Sequence, residues 1–131
     1  MKTIIAGTRT ATRRNVQDAI MRCPFVTRIS EVVSGGNKVV QSNGAVTGAD
    51  YWGEQWAEAV DTKVTRFAAD WDTHGRAAGP IRNAQMADYA DALILVWDCK
   101  SKGSADMLKK ARAKGLTCFV WDYVKMREVP E

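Results

Sequence analysis

The sequence predicts an α/β fold: a Rossmann-like three-layer architecture with a five-stranded parallel sheet, about four helices, and a β-hairpin inserted near residues 38–47. Three observations carry this expectation. Short apolar runs alternate along the chain with segments of helical periodicity, the order that builds a parallel sheet covered on both faces. Glycine or proline punctuates most element ends. Asn43-Gly44, the strongest short hairpin signal, sits between two β-prone runs inside the second strand-to-helix connection.

Taken in order, Lys2–Gly7 reads as the first strand, an apolar run closed by glycine. Thr12–Cys23 reads as the first helix, because Val16, Ala19, Ile20 and Cys23 share one face and Pro24 stops it. Ile29–Ser34 is the second strand, followed by Gly35-Gly36, and Gly48–Val60 is the second helix. Lys63–Ala68 is the third strand, and Ala69–Gly79 a polar loop. Pro80–Ala90 is the third helix, with proline suited to its first turn. Ala92–Trp97 is the clearest buried strand. Ala105–Lys114 is the fourth helix, with Ser104 as cap, Asp106 in the first turn and Gly115 as stop. Leu116–Trp121 is the last strand. Residues 1–121 thus form one domain and 122–131 a trailing tail.

Composition narrows the function classes. Hydrophobic residues at 46% and charged residues at 26% suit a globular core rather than a disordered chain. Cys23, Cys99 and Cys118 are far apart, and His74 is the lone histidine. That pattern argues against a disulfide frame and a transition-metal site, and for reduced thiols in the cytoplasm acting as core fillers. No run reaches the ~18 apolar residues of a membrane span, and the first apolar run is too short for a signal peptide, so no membrane partner is expected. A net charge of +4, with the basic residues scattered, permits nucleic acid without demanding it.

Ligands of open parallel sheets bind beyond the carboxyl ends of the strands. The loops predicted at that edge hold Gly7, Thr8 and Arg9; Ser34, Gly35 and Gly36; Gly48 and Asp50; Trp71 through Gly79, Arg82 and Asn83; and Asp98, Ser101, Gly103 and Ser104. Glycines allow close backbone approach, helix starts offer free N–H groups to phosphate, and arginine adds bidentate charge. Each residue has a plainer alternative. Arg9 could form a surface ion pair, and Arg82 with Asn83 could cap a helix. Asp50 could accept ribose hydroxyls or simply complement a helix start. Asp98 and Ser101–Ser104 could cap rather than bind. Glu54, one turn beyond Asp50, could stabilise the cationic sugar of N-glycosidic cleavage or lie on a solvated face. Trp71 could stack a base. Trp52 and Trp56, sharing a helix face, suit packing or a homo-oligomer contact, while Trp97 and Trp121 suit the core.

These same residues carry a resemblance. Ile5-Ala6-Gly7-Thr8-Arg9, Val32-Val33-Ser34-Gly35-Gly36, Gly48-Ala49-Asp50, Ala69-Asp70-Trp71, Gly79-Pro80-Ile81-Arg82-Asn83 with Met86, and Ser101-Lys102-Gly103-Ser104 together resemble the SLOG superfamily. Within it, the small YspA-like (YpsA-related) proteins are the most similar, over roughly residues 3 to 120. The resemblance implies a Rossmann-like module for nucleotides or nucleotide-derived ligands, with no required cofactor. Relatives include phosphoribohydrolases, the DNA-processing protein DprA and predicted sensors of NAD- or ADP-ribose-like signals. The Pro-Gly-Gly-x-Gly-Thr signature of the phosphoribohydrolases is absent, and the inserted hairpin separates Gly35-Gly36 from Gly48-Ala49-Asp50.

The leading expectation is a sensor or sequestering module for an NAD-, ADP-ribose- or nucleoside-monophosphate-like ligand. One alternative is an N-ribosyl hydrolase or transferase using Glu54 with Arg82. Another is DprA-like nucleic-acid binding through Arg13, Arg14, Lys109, Lys110, Arg112 and Lys114. The hairpin could serve as a lid or an oligomer contact.

Overall fold

The computed structural model describes residues 1–130. Its elements are β1 (Lys2–Gly7), α1 (Arg13–Arg22), β2 (Glu31–Ser34), β3 (Val39–Val40), β4 (Val46–Thr47), α2 (Ala49–Ala59), β5 (Lys63–Arg66), α3 (Trp71–His74), α4 (Ala78–Tyr89), β6 (Ala92–Trp97), α5 (Lys102–Ala113), β7 (Thr117–Asp122) and β8 (Arg127–Glu128). The main sheet runs β5-β2-β1-β6-β7-β8. All its pairings are parallel except β7 with β8. From β1 the chain winds outward to β2 and β5, then returns to β6 and winds the other way. The winding reverses between β1 and β6, where an open α/β sheet leaves a crevice.

Strand alternation sorts the core into two halves. Ile5, Val32, Ile94 and Val96 face α1 and α2, meeting Val16, Ala19 and Ile20 of one and Ala49 and Ala57 of the other. Ile4, Val33, Leu93 and Leu95 face α4 and α5, meeting Met86, Met107, Leu108 and Ala111. This makes three layers, and it explains why the central strands read as unbroken apolar runs. Each fully buried Ile or Leu contributes about 1.5–3 kcal/mol. Thr12 caps α1 through a reciprocal box: Asn15 N–H donates to its hydroxyl (3.3 Å), and Thr12 N–H donates to Asn15 Oδ1 (2.9 Å).

Several expectations are corrected. The sheet has six strands, not five, and the sixth lies in the supposed tail. Asp122 closes a turn by accepting the N–H groups of Val124 and Lys125 (both 3.0 Å), and β8 pairs back on β7. The second strand begins at Glu31, because a 3-10 turn over Val26–Arg28 occupies its approach. The third is shorter, Lys63–Arg66, being a partly solvated edge. The polar loop of residues 69–79 is largely helical: Asp70 caps α3 through Thr73 N–H (3.1 Å), and α4 already starts at Ala78. The last helix starts at Lys102, so Ser104 lies inside it and Ser101 stands at the cap position. Cys99 is exposed in a turn (φ 64°) rather than filling the core, whereas Cys23 is buried.

The inserted hairpin is present. Val39 pairs Thr47 and Val40 pairs Val46. Gly44 N–H donates to the Gln41 carbonyl (2.9 Å), and Gln41 N–H to the Ala45 carbonyl (2.7 Å). Gly44, at φ 87°, supplies the left-handed residue that such a loop requires. No helix is long and apolar enough to cross a membrane among the described residues.

Candidate functional site

A crevice of about 590 Å³ opens at the carboxyl ends of β1 and β6. Its floor is stitched together by backbone. Gly7, at φ 154°, lies so close to β6 that a Cβ there would sit 1.9 Å from the Val96 carbonyl oxygen. Thr8 N–H donates to that carbonyl (3.0 Å), and the Thr8 hydroxyl accepts Asp98 N–H (3.0 Å). Asp98 in turn accepts the N–H groups of Lys100 and Ser101 (both 2.9 Å), bending the chain into α5. Burial opposes ionisation of Asp98, but these N–H groups and the Thr8 hydroxyl together hold its carboxyl below the usual range. Among the described residues, the N–H groups of Lys102, Gly103 and Ser104 at the start of α5 have no acceptor, and no acidic side chain occupies that first turn. These open N–H groups turn the positive end of the helix toward the crevice, beside the Asp98 carboxylate.

Two buried charges line the same space. Arg82, on α4, and Asp50, on α2, are each 7% exposed. Arg82 donates Nη1 to the Gly35 carbonyl (3.1 Å) and Nε to Asn83 Oδ1 (3.1 Å), leaving Nη2 without a protein partner. Burial lowers its pKa, with Asp50 opposing that effect and Arg9 adding to it. Asp50 accepts Asn37 N–H at Oδ2 (3.1 Å), leaving Oδ1 open. Burial raises its pKa to about 6, against the Asn37 N–H and the charges of Arg82 and Arg9, with Glu54 adding to the rise. The two groups form no ion pair with each other. Arg9 is exposed at the mouth and forms no ion pair among the described residues.

Of the sequence candidates, Gly7, Thr8, Arg9, Asp50, Trp71, Gly79, Arg82, Asn83, Asp98, Ser101, Gly103 and Ser104 line the crevice. Asn83 is spent on cross-bracing: its amide donates to the Gly103 carbonyl (3.3 Å) and to Asp106 Oδ2 (3.0 Å), tying α4 to α5. Trp71 is half exposed at the rim, its ring edge 3.5 Å from where a Cβ on Gly79 would lie.

Ser34, Gly35, Gly36, Gly48 and Glu54 stand outside the lining. Glu54 is engaged by Arg66 in a two-point ion pair and by the Ser34 hydroxyl (2.6 Å). The glycine pair serves as two slots for arginine. A Cβ on Gly35 would lie 2.5 Å from Arg82 Nη1, and one on Gly36 would lie 2.6 Å from Arg66 Cδ. Gly48 precedes α2 and donates its N–H to the Ala11 carbonyl (2.8 Å). Trp52 and Trp56 pack against the core within the chain, and Trp52 Nε1–H donates to the Val46 carbonyl (3.0 Å).

Outside the candidate site residues, the lining also includes Thr10, Asn37, Lys102 and Asp106. Lys102 was legible in part, because it lies beside Ser101 in the phosphate-suited turn. Asn37 was not, because only the fold of the hairpin stem carries it to Asp50. No family model, curated protein or solved structure matches the chain.

Proposed function

We propose that the crevice binds a nucleotide or nucleotide-derived phosphate ligand, and that the chain is a SLOG-like module that senses or sequesters it. Arg82 carries this reading. A buried guanidinium is costly unless an anion meets it, and among the described residues no carboxylate lies within ion-pair distance. A ligand phosphate supplies the missing anion. The free N–H groups at the start of α5 and the exposed Arg9 support the same anion, and Trp71 offers a face for a base. The position at the winding reversal is where doubly wound sheets bind ligands in general.

The test is a thermal-shift panel of nucleoside monophosphates, NAD, ADP-ribose, cyclic nucleotides and inorganic phosphate. A bound ligand at ~100 times its Kd adds about 2.7 kcal/mol, a rise of several degrees in a domain of this size. Arg82→Gln should melt cooperatively yet lose most of that shift. A cooperative melt unmoved by every compound, phosphate included, would refute the reading.

A further inference from the structure

Asp50, on α2, and Arg82, on α4, converge beside Gly35. A Cβ at Gly35 would lie 2.5 Å from Arg82 Nη1 and 3.0 Å from Asp50 Oδ2. Despite that proximity they do not pair: Arg82 gives Nη1 to the Gly35 carbonyl and Nε to Asn83, Asp50 takes the Asn37 N–H at Oδ2, and each keeps one atom, Nη2 and Oδ1, unpartnered. Both are more than nine-tenths buried. A purely structural pair would close into an ion pair, since two buried charges left apart forfeit their mutual attraction. A site for inorganic phosphate alone would have no use for a buried carboxylate, which repels the anion. One open acceptor beside one open cationic donor complements a molecule bearing an anion and hydroxyl donors together.

We infer that the site selects a ribose phosphate through its vicinal diol, with Arg82 Nη2 on the phosphate and Asp50 Oδ1 accepting from the sugar hydroxyls. This rests on the phosphate reading above and narrows it to ribosyl over deoxyribosyl ligands. The hairpin shares in the selection, because Asn37 at its stem holds Asp50 Oδ2 and leaves Oδ1 open.

The test is calorimetric titration of the full chain with ribose 5-phosphate, 2-deoxyribose 5-phosphate and inorganic phosphate. The wild type should bind ribose 5-phosphate at least tenfold more tightly than the deoxy sugar. Asp50→Asn should reduce that ratio to within about twofold while binding inorganic phosphate at least as well as the wild type, since it removes a negative charge and keeps the acceptor for Asn37. Equal affinity for the two sugar phosphates overturns the inference and leaves the phosphate reading standing. So does binding of phosphate with neither sugar phosphate. A ratio that survives Asp50→Asn also overturns it. Failure of all three ligands to bind overturns the phosphate reading itself, and the inference with it.

Discussion

Asp50 shows how a residue suited to a site can be unsuited to the fold. Four neighbours act on its carboxyl: Arg82 from α4, Arg9 from the loop after β1, Glu54 one turn along α2, and the Asn37 N–H from the hairpin stem. Burial outweighs the favourable contacts and lifts the pKa from 3.8 to about 6. The folded chain therefore keeps a proton that the unfolded chain has released, and stability falls as pH rises from about 4 to 6, by roughly 3 kcal/mol at most. Asp50→Asn removes that penalty above pH 6 while remaining isosteric. The expected result is a melting temperature several degrees above wild type at pH 7.5, at about 3–5 °C per kcal/mol, with little difference at pH 4. Parallel melting curves at both pH values, with no widening of the gap, would show that the charge costs the fold nothing. A gain in stability at the expense of ligand selection is the usual signature of a residue kept for function.

At the scale of elements, the hairpin and the glycine pair do the positioning. Strands of two residues cannot hold themselves together in water. The hairpin is fastened from outside: by the Thr47 hydroxyl to the Arg9 carbonyl (2.8 Å), by Gly48 N–H to Ala11, and by Trp52 Nε1–H to Val46. Two of these fastenings grip the same loop that supplies Thr8 and Arg9 to the crevice. Trp52→Phe deletes the third and keeps most of the ring packing. It should cost about 1 kcal/mol and accelerate amide hydrogen exchange selectively over residues 39–47. Unchanged exchange there would show that Trp52 only packs and does not hold the hairpin.

At the scale of the molecule, β8 covers the C-terminal half of the outer edge of β7, and exposed edges invite pairing with other chains. Val129 folds back with it, donating its N–H to the Val120 carbonyl (2.8 Å) and packing on the second half of the core. Removal of residues 124–131 should lower stability by about 2 kcal/mol and promote self-association visible by light scattering. None of residues 124–130 lines the crevice, so phosphate binding should persist below the melting point. A truncated chain as stable and as monodisperse as the full one would make the segment the tail that its polar composition suggests.

Periodicity alone determined much of this protein. Alternating apolar runs and helical stripes are local patterns, so β1, α1, β6 and the flanking helices were legible, as was the hairpin from Asn43-Gly44. Once parallel strands are laid side by side, their connecting loops share one edge, so most crevice residues could be named from glycines, arginines and helix starts. Tertiary structure decided what local pattern cannot encode. Whether a carboxylate is spent or free depends on which distant cation reaches it: Arg66 crosses to Glu54, while Arg82 stops short of Asp50. The glycine pair looked like a phosphate loop, because close backbone approach is what glycine permits; only the packed chain shows that arginine side chains occupy that space. The sixth strand is short, polar and antiparallel. Its signal lies in an Asp122 turn and in the β7 edge it covers, and that edge exists only after the rest of the sheet has formed.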